Sequence, residues 1–280
     1  MEYVTLGRTN LMVSRSALGT RLLEDVSLED SIENLNTAFK GGINFWDTLS
    51  AYSSVEEKIG KTISLAEKEI EGVYSSNLSE YEIQRAEALL PLRKNLFISS
   101  GTKAKTGKDA SIDLDKSLEN LSTDCIDIYH ITNQDYLPIP GTDDGLYNEM
   151  LIARRSGKIR YIGFTTHNLE LAKEAINSGL YDVLRFPLNI FSTEEELELI
   201  KLAEKADIGI CAIKTLASGK IENVPIAFGF LRQYENLISV WGARNIDEIQ
   251  KLLYFESNPP NIDEQFLTEL EELKNQFKNQ

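Results

Sequence analysis

Asp47 and Tyr52 stand five residues apart in the run Asn44-Phe45-Trp46-Asp47-Thr48-Leu49-Ser50-Ala51-Tyr52. The apolar lead-in reads as a short buried strand that stops at Asp47, followed by a loop carrying Tyr52 and then a helix. A carboxylate at a strand end and a phenol on the next loop can meet above that strand. Such a pair suits a tyrosine that hands a proton to a carbonyl. A second charged group stands out at Arg185, which follows Leu184 inside an apolar strand. An unpaired buried guanidinium is costly, so Arg185 implies a buried partner or an anionic ligand, with Asp47 a candidate partner.

These side chains need a scaffold, and the chain alternates short β-rich runs with amphipathic helical stretches from end to end. The expected strands are Ser16–Thr20, Asn44–Thr48, Leu96–Thr102, Cys125–Thr132, Ile159–Thr166, Val183–Asn189, Gly209–Thr215 and Leu237–Ala243. Between them the apolar spacing predicts helices over Leu28–Lys40, Val55–Ile70, Ile112–Leu121, Gly145–Ser156, Leu169–Ser178, Glu194–Lys205 and Ile226–Tyr234, with Ile246–Tyr254 after the last strand. Runs such as Ile208-Gly209-Ile210-Cys211-Ala212-Ile213 are apolar on both faces, as in a parallel sheet covered by helices. Eight βα units predict a closed (β/α)₈ TIM barrel, with an open doubly wound sheet as the alternative. Met1–Ser14 reads as a hairpin plugging the barrel floor. Tyr81–Leu90 and Glu264–Phe277 read as extra helices. The whole span 1–280 is expected to be one barrel domain.

Composition narrows the function. Apolar residues make up 42% and charged residues 26%, enough for a sizeable core under a soluble surface. A formal net charge of −15 argues against nucleic acid or an anionic membrane as partner. With no apolar run near about 18 residues and no signal-peptide core in Met1 to Arg8, a cytoplasmic location is expected, and the acidic surface without an obvious apolar patch makes a monomer the expectation. Cys125 and Cys211 read as buried thiols, and the two cysteines and two histidines have no metal-ligand spacing.

Several segments, in order and spacing, resemble the aldo-keto reductase superfamily over nearly the whole chain. They are Tyr3 to Thr9 with Val13-Ser14 and Leu18-Gly19-Thr20, then Gly42 to Thr48 with Tyr52 and Glu56 to Lys61. Ser117-Leu118, Leu121 and Thr123 to Tyr129, Gly157 to Thr165, and Gly242-Ala243-Arg244-Asn245 complete the match. Lys214 to Gly219 and Thr165-Thr166-His167 look nearest to a bacterial branch that often carries a ferredoxin-like tail. No such cysteine-rich tail is present, so no iron–sulfur cluster is expected. The resemblance implies NADP(H)-dependent hydride transfer to or from a small carbonyl or alcohol, without a metal, at the C-terminal mouth of the barrel. It makes Tyr52 the general acid and Asp47 its electrostatic supporter. It also implies that Gly19, Thr20, Thr165, Thr166, His167, Arg185, Lys214, Gly242, Arg244 and Asn245 contact the cofactor.

This chain departs from the family at the reaction centre. A gap-free alignment puts Gly101 at the family's lysine position and Thr132 at its histidine position, with Lys103 two residues beyond and His130 two residues before. A shift of two keeps the face but moves the group about 6.6 Å along the strand. Lys103 is the candidate relocated catalytic lysine, and His130 is expected deeper in the barrel. Arg185 replaces a usual glutamine, and Ile213 stands where many members stack an aromatic ring. A Gly101→Lys, Thr132→His double substitution is expected to raise carbonyl reduction. Two further readings stay open. One is a barrel that binds the cofactor for a non-redox elimination or isomerisation, or only senses it; the other is a non-catalytic partner subunit.

Overall fold

The computed structural model describes residues 1–76, 78–133 and 135–278. Eight parallel strands close into a barrel: β3 (Ser16–Gly19), β4 (Phe45–Asp47), β5 (Phe97–Thr102), β6 (Ile126–Thr132), β7 (Ile159–Thr165), β8 (Val183–Pro187), β9 (Gly209–Ile213) and β10 (Leu237–Gly242). Each pairs with the next in chain order, and β10 closes on β3. The strands are one or two residues shorter than their apolar runs suggest, because those runs continue past the paired ladder into the adjoining loops. This is the (β/α)₈ TIM barrel.

The strands' inward faces form a compact inner core of Ala17, Phe45, Ile128, Val183, Cys211, Ile238 and Val240. Leu6, Leu11 and Val13 complete it from below. They come from the antiparallel hairpin of β1 (Tyr3–Thr5) and β2 (Met12–Ser14), whose register pairs Tyr3 with Ser14. Fully burying such side chains contributes about 1.5–3 kcal/mol each, which is why the hairpin seats as the barrel floor. Cys211 is buried, whereas Cys125 is half-buried, one residue ahead of β6.

Helices α1 (Leu28–Lys40), α2 (Ser53–Tyr74), α4 (Gly107–Asn120), α5 (Leu146–Arg155), α6 (Leu169–Ser178), α7 (Glu194–Lys205), α8 (Val224–Arg232) and α9 (Ile246–Ser257) cover the outside, and α3 (Glu80–Leu89) and α10 (Glu264–Lys278) are additions. Local chemistry sets their ends. Ser27 accepts the Asp30 N–H ahead of α1, and Thr193 with Glu196 forms a full capping box on α7. α2 runs longer at both ends than its apolar period. It starts at Ser53-Ser54, polar residues a hydrophobic pattern cannot register, directly after Tyr52. Among the described residues no helix is long and apolar enough to cross a membrane.

Candidate active site

β4 delivers Asp47 to the mouth as its last residue, aligned with Gly19 on β3 and Ser99 on β5. Thr20 fixes this end of the strand by donating its hydroxyl to the Asp47 carbonyl at 2.9 Å. The Asp47 carboxylate is met from the far side of the barrel. Arg185 on β8, four strands away in either direction, places Nη1 at 2.6 Å from Asp47 Oδ1. The same nitrogen donates to the Thr48 carbonyl at 3.3 Å, and Nε donates to Thr165 Oγ1 at 2.8 Å. With the Arg185 side chain 5% and that of Asp47 12% exposed, the pair sits in low dielectric, where a hydrogen-bonded charge pair is strong and an unmatched charge is costly. The buried partner that Arg185 demanded is thus Asp47.

Tyr52 is half-buried at the residue that precedes α2, after a tight turn in which its N–H donates to the Leu49 carbonyl at 2.8 Å. Behind it, Glu56 is buried one helical turn on. Ser100 donates to Glu56 Oε1 at 2.7 Å and Asn120 to Oε2 at 3.3 Å, which ties the first turn of α2 to β5 and α4. Burial without a cation raises the Glu56 pKa, and these hydrogen bonds offset part of that.

The absence of a side chain at residue 101 has a steric basis. Gly101 pairs with His130 across the β5–β6 ladder, and a β-carbon at residue 101 would lie 2.6 Å from the His130 carbonyl oxygen. On the other side, a β-carbon at Gly163 would lie 2.2 Å from His130 Nδ1. His130 therefore occupies room that two glycines vacate, fully buried inside the barrel. Neither ring nitrogen has a hydrogen-bond partner among the described residues. Desolvation, then the charge of Arg185, holds its pKa well below the ordinary 6.5, with the Phe164 backbone opposing. A lysine at residue 101 meets main chain, so the gain expected of the Gly101→Lys, Thr132→His pair does not survive this geometry. Thr132 itself ends β6 with its hydroxyl buried.

Around the rim, Lys103, His167 and Lys214 are exposed on the loops that follow β5, β7 and β9. Partial desolvation of its ring lowers the His167 pKa, and the charges of Lys214 and then Lys103 lower it further. Lys103 is thus a rim cation and does not reach Asp47, whose ion pair is with Arg185. Lys214, Ala217 and Ser218 all have left-handed backbone (φ 55°, 48° and 59°), a conformation costing non-glycine residues about 1–2 kcal/mol each. Thr165 ends β7 and Thr166 follows it, both buried. At the end of β10, Gly242 leads to an exposed Arg244, while the Asn245 side chain caps α9 by accepting the Glu248 N–H at 2.9 Å. One neighbour of Tyr52 was not singled out from sequence. The Arg21 guanidinium carbon lies 5.6 Å from the centre of the Tyr52 ring. Its only sequence signal is its place directly after Gly19-Thr20.

The Aldo/keto reductase family model matches residues 16–225. This chain belongs to the aldo/keto reductase family. It is similar to the aldo-keto reductase dtxS3 of Metarhizium robertsii, 25% identical over 262 residues that cover 80% of this chain and 66% of the relative. It is also similar to the L-galactose dehydrogenase of Arabidopsis thaliana, 25% identical over 236 residues, covering 78% and 66%. The chain thus spans about two thirds of the length of these curated relatives. Among solved structures, the holo form of an aldo-keto reductase from Bacillus halodurans matches with a TM-score of 0.76 at 15% identity, over 98% of this chain and 96% of the other. An aldo-keto reductase from Klebsiella pneumoniae in complex with NADPH gives 0.74 at 16%, over 98% and 95%.

Proposed function

We propose that the protein is an NADP(H)-dependent oxidoreductase of aldo-keto reductase type, with Tyr52 as proton donor to a small carbonyl and the Asp47–Arg185 pair as its electrostatic support. The observation that carries this reading is the 2.6 Å ion pair across the barrel. It provides a carboxylate–cation unit beside the phenol's loop, although Gly101 offers no lysine. Membership of the aldo/keto reductase family and the NADPH-bound Klebsiella neighbour support the cofactor.

The residues present fit a dinucleotide. Arg244 and Lys214 offer exposed cations for phosphates. The Thr165 hydroxyl, already accepting from Arg185, keeps its own proton to donate. Thr20, Thr166, His167 and Asn245 complete the proposed contacts, with Gly19 and Gly242 as backbone where the ligand passes closely. When bound, the reduced nicotinamide supplies the hydride. Tyr52 donates to the carbonyl oxygen, which polarises the bond and then receives the proton. Asp47, neutralised by Arg185, holds the loop's start and orients the local field without adding net negative charge beside the forming phenolate. His130 stays neutral beneath them. Lys103 adds positive potential at the rim.

Two measurements test the reading. Micromolar NADPH is expected to quench the fluorescence of Trp46 or Trp241. Loss of NADPH absorbance is then expected over a panel of aldehydes, ketones and quinones, and Tyr52→Phe should slow it by about 10²–10⁴-fold. Absence of quenching removes the reductase reading. Quenching without turnover on any substrate leaves a cofactor-binding barrel with a non-redox role.

A further inference from the structure

Arg21 lies in the single 3-10 turn, Thr20–Leu23, that leaves the barrel beside Asp47. Glu24 and Asp25 follow three and four residues later. Arg21 nevertheless forms no ion pair among the described residues. Its guanidinium instead stands over the Tyr52 ring at 5.6 Å, and the side chain is exposed. In a chain of net charge −15, a cation that passes over two nearby acids to lie on the proton-donating phenol is placed for an incoming anion.

Lys103 and Lys214 extend positive charge along the rim, since both act on His167.

We propose that the substrate carries a carboxylate directly attached to its reacting carbonyl, and that Arg21 binds that carboxylate while Tyr52 protonates the carbonyl oxygen. This rests on the reductase reading for the reaction, but not for the binding. A neutral aldehyde has no use for the guanidinium, whereas its planar fork matches one carboxylate with two parallel hydrogen bonds. In the reaction, the carbonyl carbon gains a hydride from the reduced nicotinamide and the oxygen gains the Tyr52 proton. The phenolate is reprotonated from water, and the products are a hydroxy acid and the oxidised cofactor.

Titration calorimetry on the full chain, with and without saturating NADP⁺, compares pyruvate with methyl pyruvate and phenylglyoxylate with its methyl ester. The acid of at least one pair should bind about tenfold or more tightly than its ester, the worth of a charge-assisted hydrogen-bond pair. Arg21→Met should bring that ratio close to one, and Arg21→Lys should keep part of it. Equal binding of acid and ester, or a ratio that Arg21→Met leaves unchanged, overturns the proposal. So does preference for dihydroxyacetone phosphate over the acids. Acid-selective binding without NADPH consumption would keep this site and remove the reductase reading. Turnover of aldehydes with no preference for acids would do the reverse.

Discussion

Arg185 interrupts an apolar strand, and its cost of burial is the reason sequence alone could demand a partner for it. Asp47 could be named as that partner because it is the carboxylate expected at a strand end. The geometry was not legible. β4 and β8 face each other only because the barrel closes, and 137 residues separate Thr48 from the guanidinium it meets. The pair makes a sharp prediction. Arg185→Gln leaves the Asp47 carboxylate without its cation and should cost about 3–5 kcal/mol, the usual effect of breaking a buried pair from one side. Asp47→Asn combined with Arg185→Gln should recover part of that loss, because no unmatched charge remains. Urea unfolding of the three variants measures both, and additive losses would mean that the two side chains do not act as a pair. Arg21 shows the opposite limit. Its contact with Tyr52 joins two loops, where residue type carries no periodic signal.

At the level of elements, the strands were readable as apolar runs and the helices by their caps and spacing; α1, α6 and α7 begin and end where the pattern places them. The packing between β5, β6 and β7 was not readable. Gly101 and His130 lie in the strands expected from the apolar runs, but a strand pattern gives only which face a residue takes. It does not say that Gly101 and Gly163 both give up side-chain volume to one imidazole. That arrangement converts an apparent loss of function at residue 101 into a packing requirement of β6. Gly163→Ala tests it directly. With the His130 ring fully enclosed, the new methyl has to displace the ring or the strand, and overpacking of this kind costs about 1–3 kcal/mol. The melting temperature should fall accordingly with far-UV circular dichroism unchanged, and pairing Gly163→Ala with His130→Ala should return much of it. A variant as stable as the parent would mean that the ring has other room.

For the molecule as a whole, two buried titratable groups set opposing pH trends. His130 has its folded pKa depressed well below 6.5. Its contribution to stability is complete above about 6.5 and is lost as pH falls from there, because the unfolded chain takes up the proton that the barrel refuses. Glu56 has its folded pKa raised above 4.5. Its contribution is complete below about 4.5 and is lost as pH rises through the folded value, where the carboxylate must ionise without a cation. Between pH 8 and 5 the two therefore partly cancel, and removing either should unmask the other. His130→Asn is expected to flatten the fall in melting temperature on acidification. Glu56→Gln, which keeps a neutral side chain at every pH, is expected to steepen it. Scanning calorimetry at half-unit pH steps compares slopes, so the void left by a smaller side chain, which shifts a whole curve, does not enter. Proton NMR gives an independent check, because the chain has two histidines. The His167 imidazole should titrate below its ordinary value, while the His130 signals stay fixed as long as the protein remains folded. Parallel melting profiles in all three proteins, or two imidazoles titrating together near 6.5, would mean that the barrel interior admits water and charge to His130, and the neutral histidine beneath the Asp47–Arg185 pair would be lost.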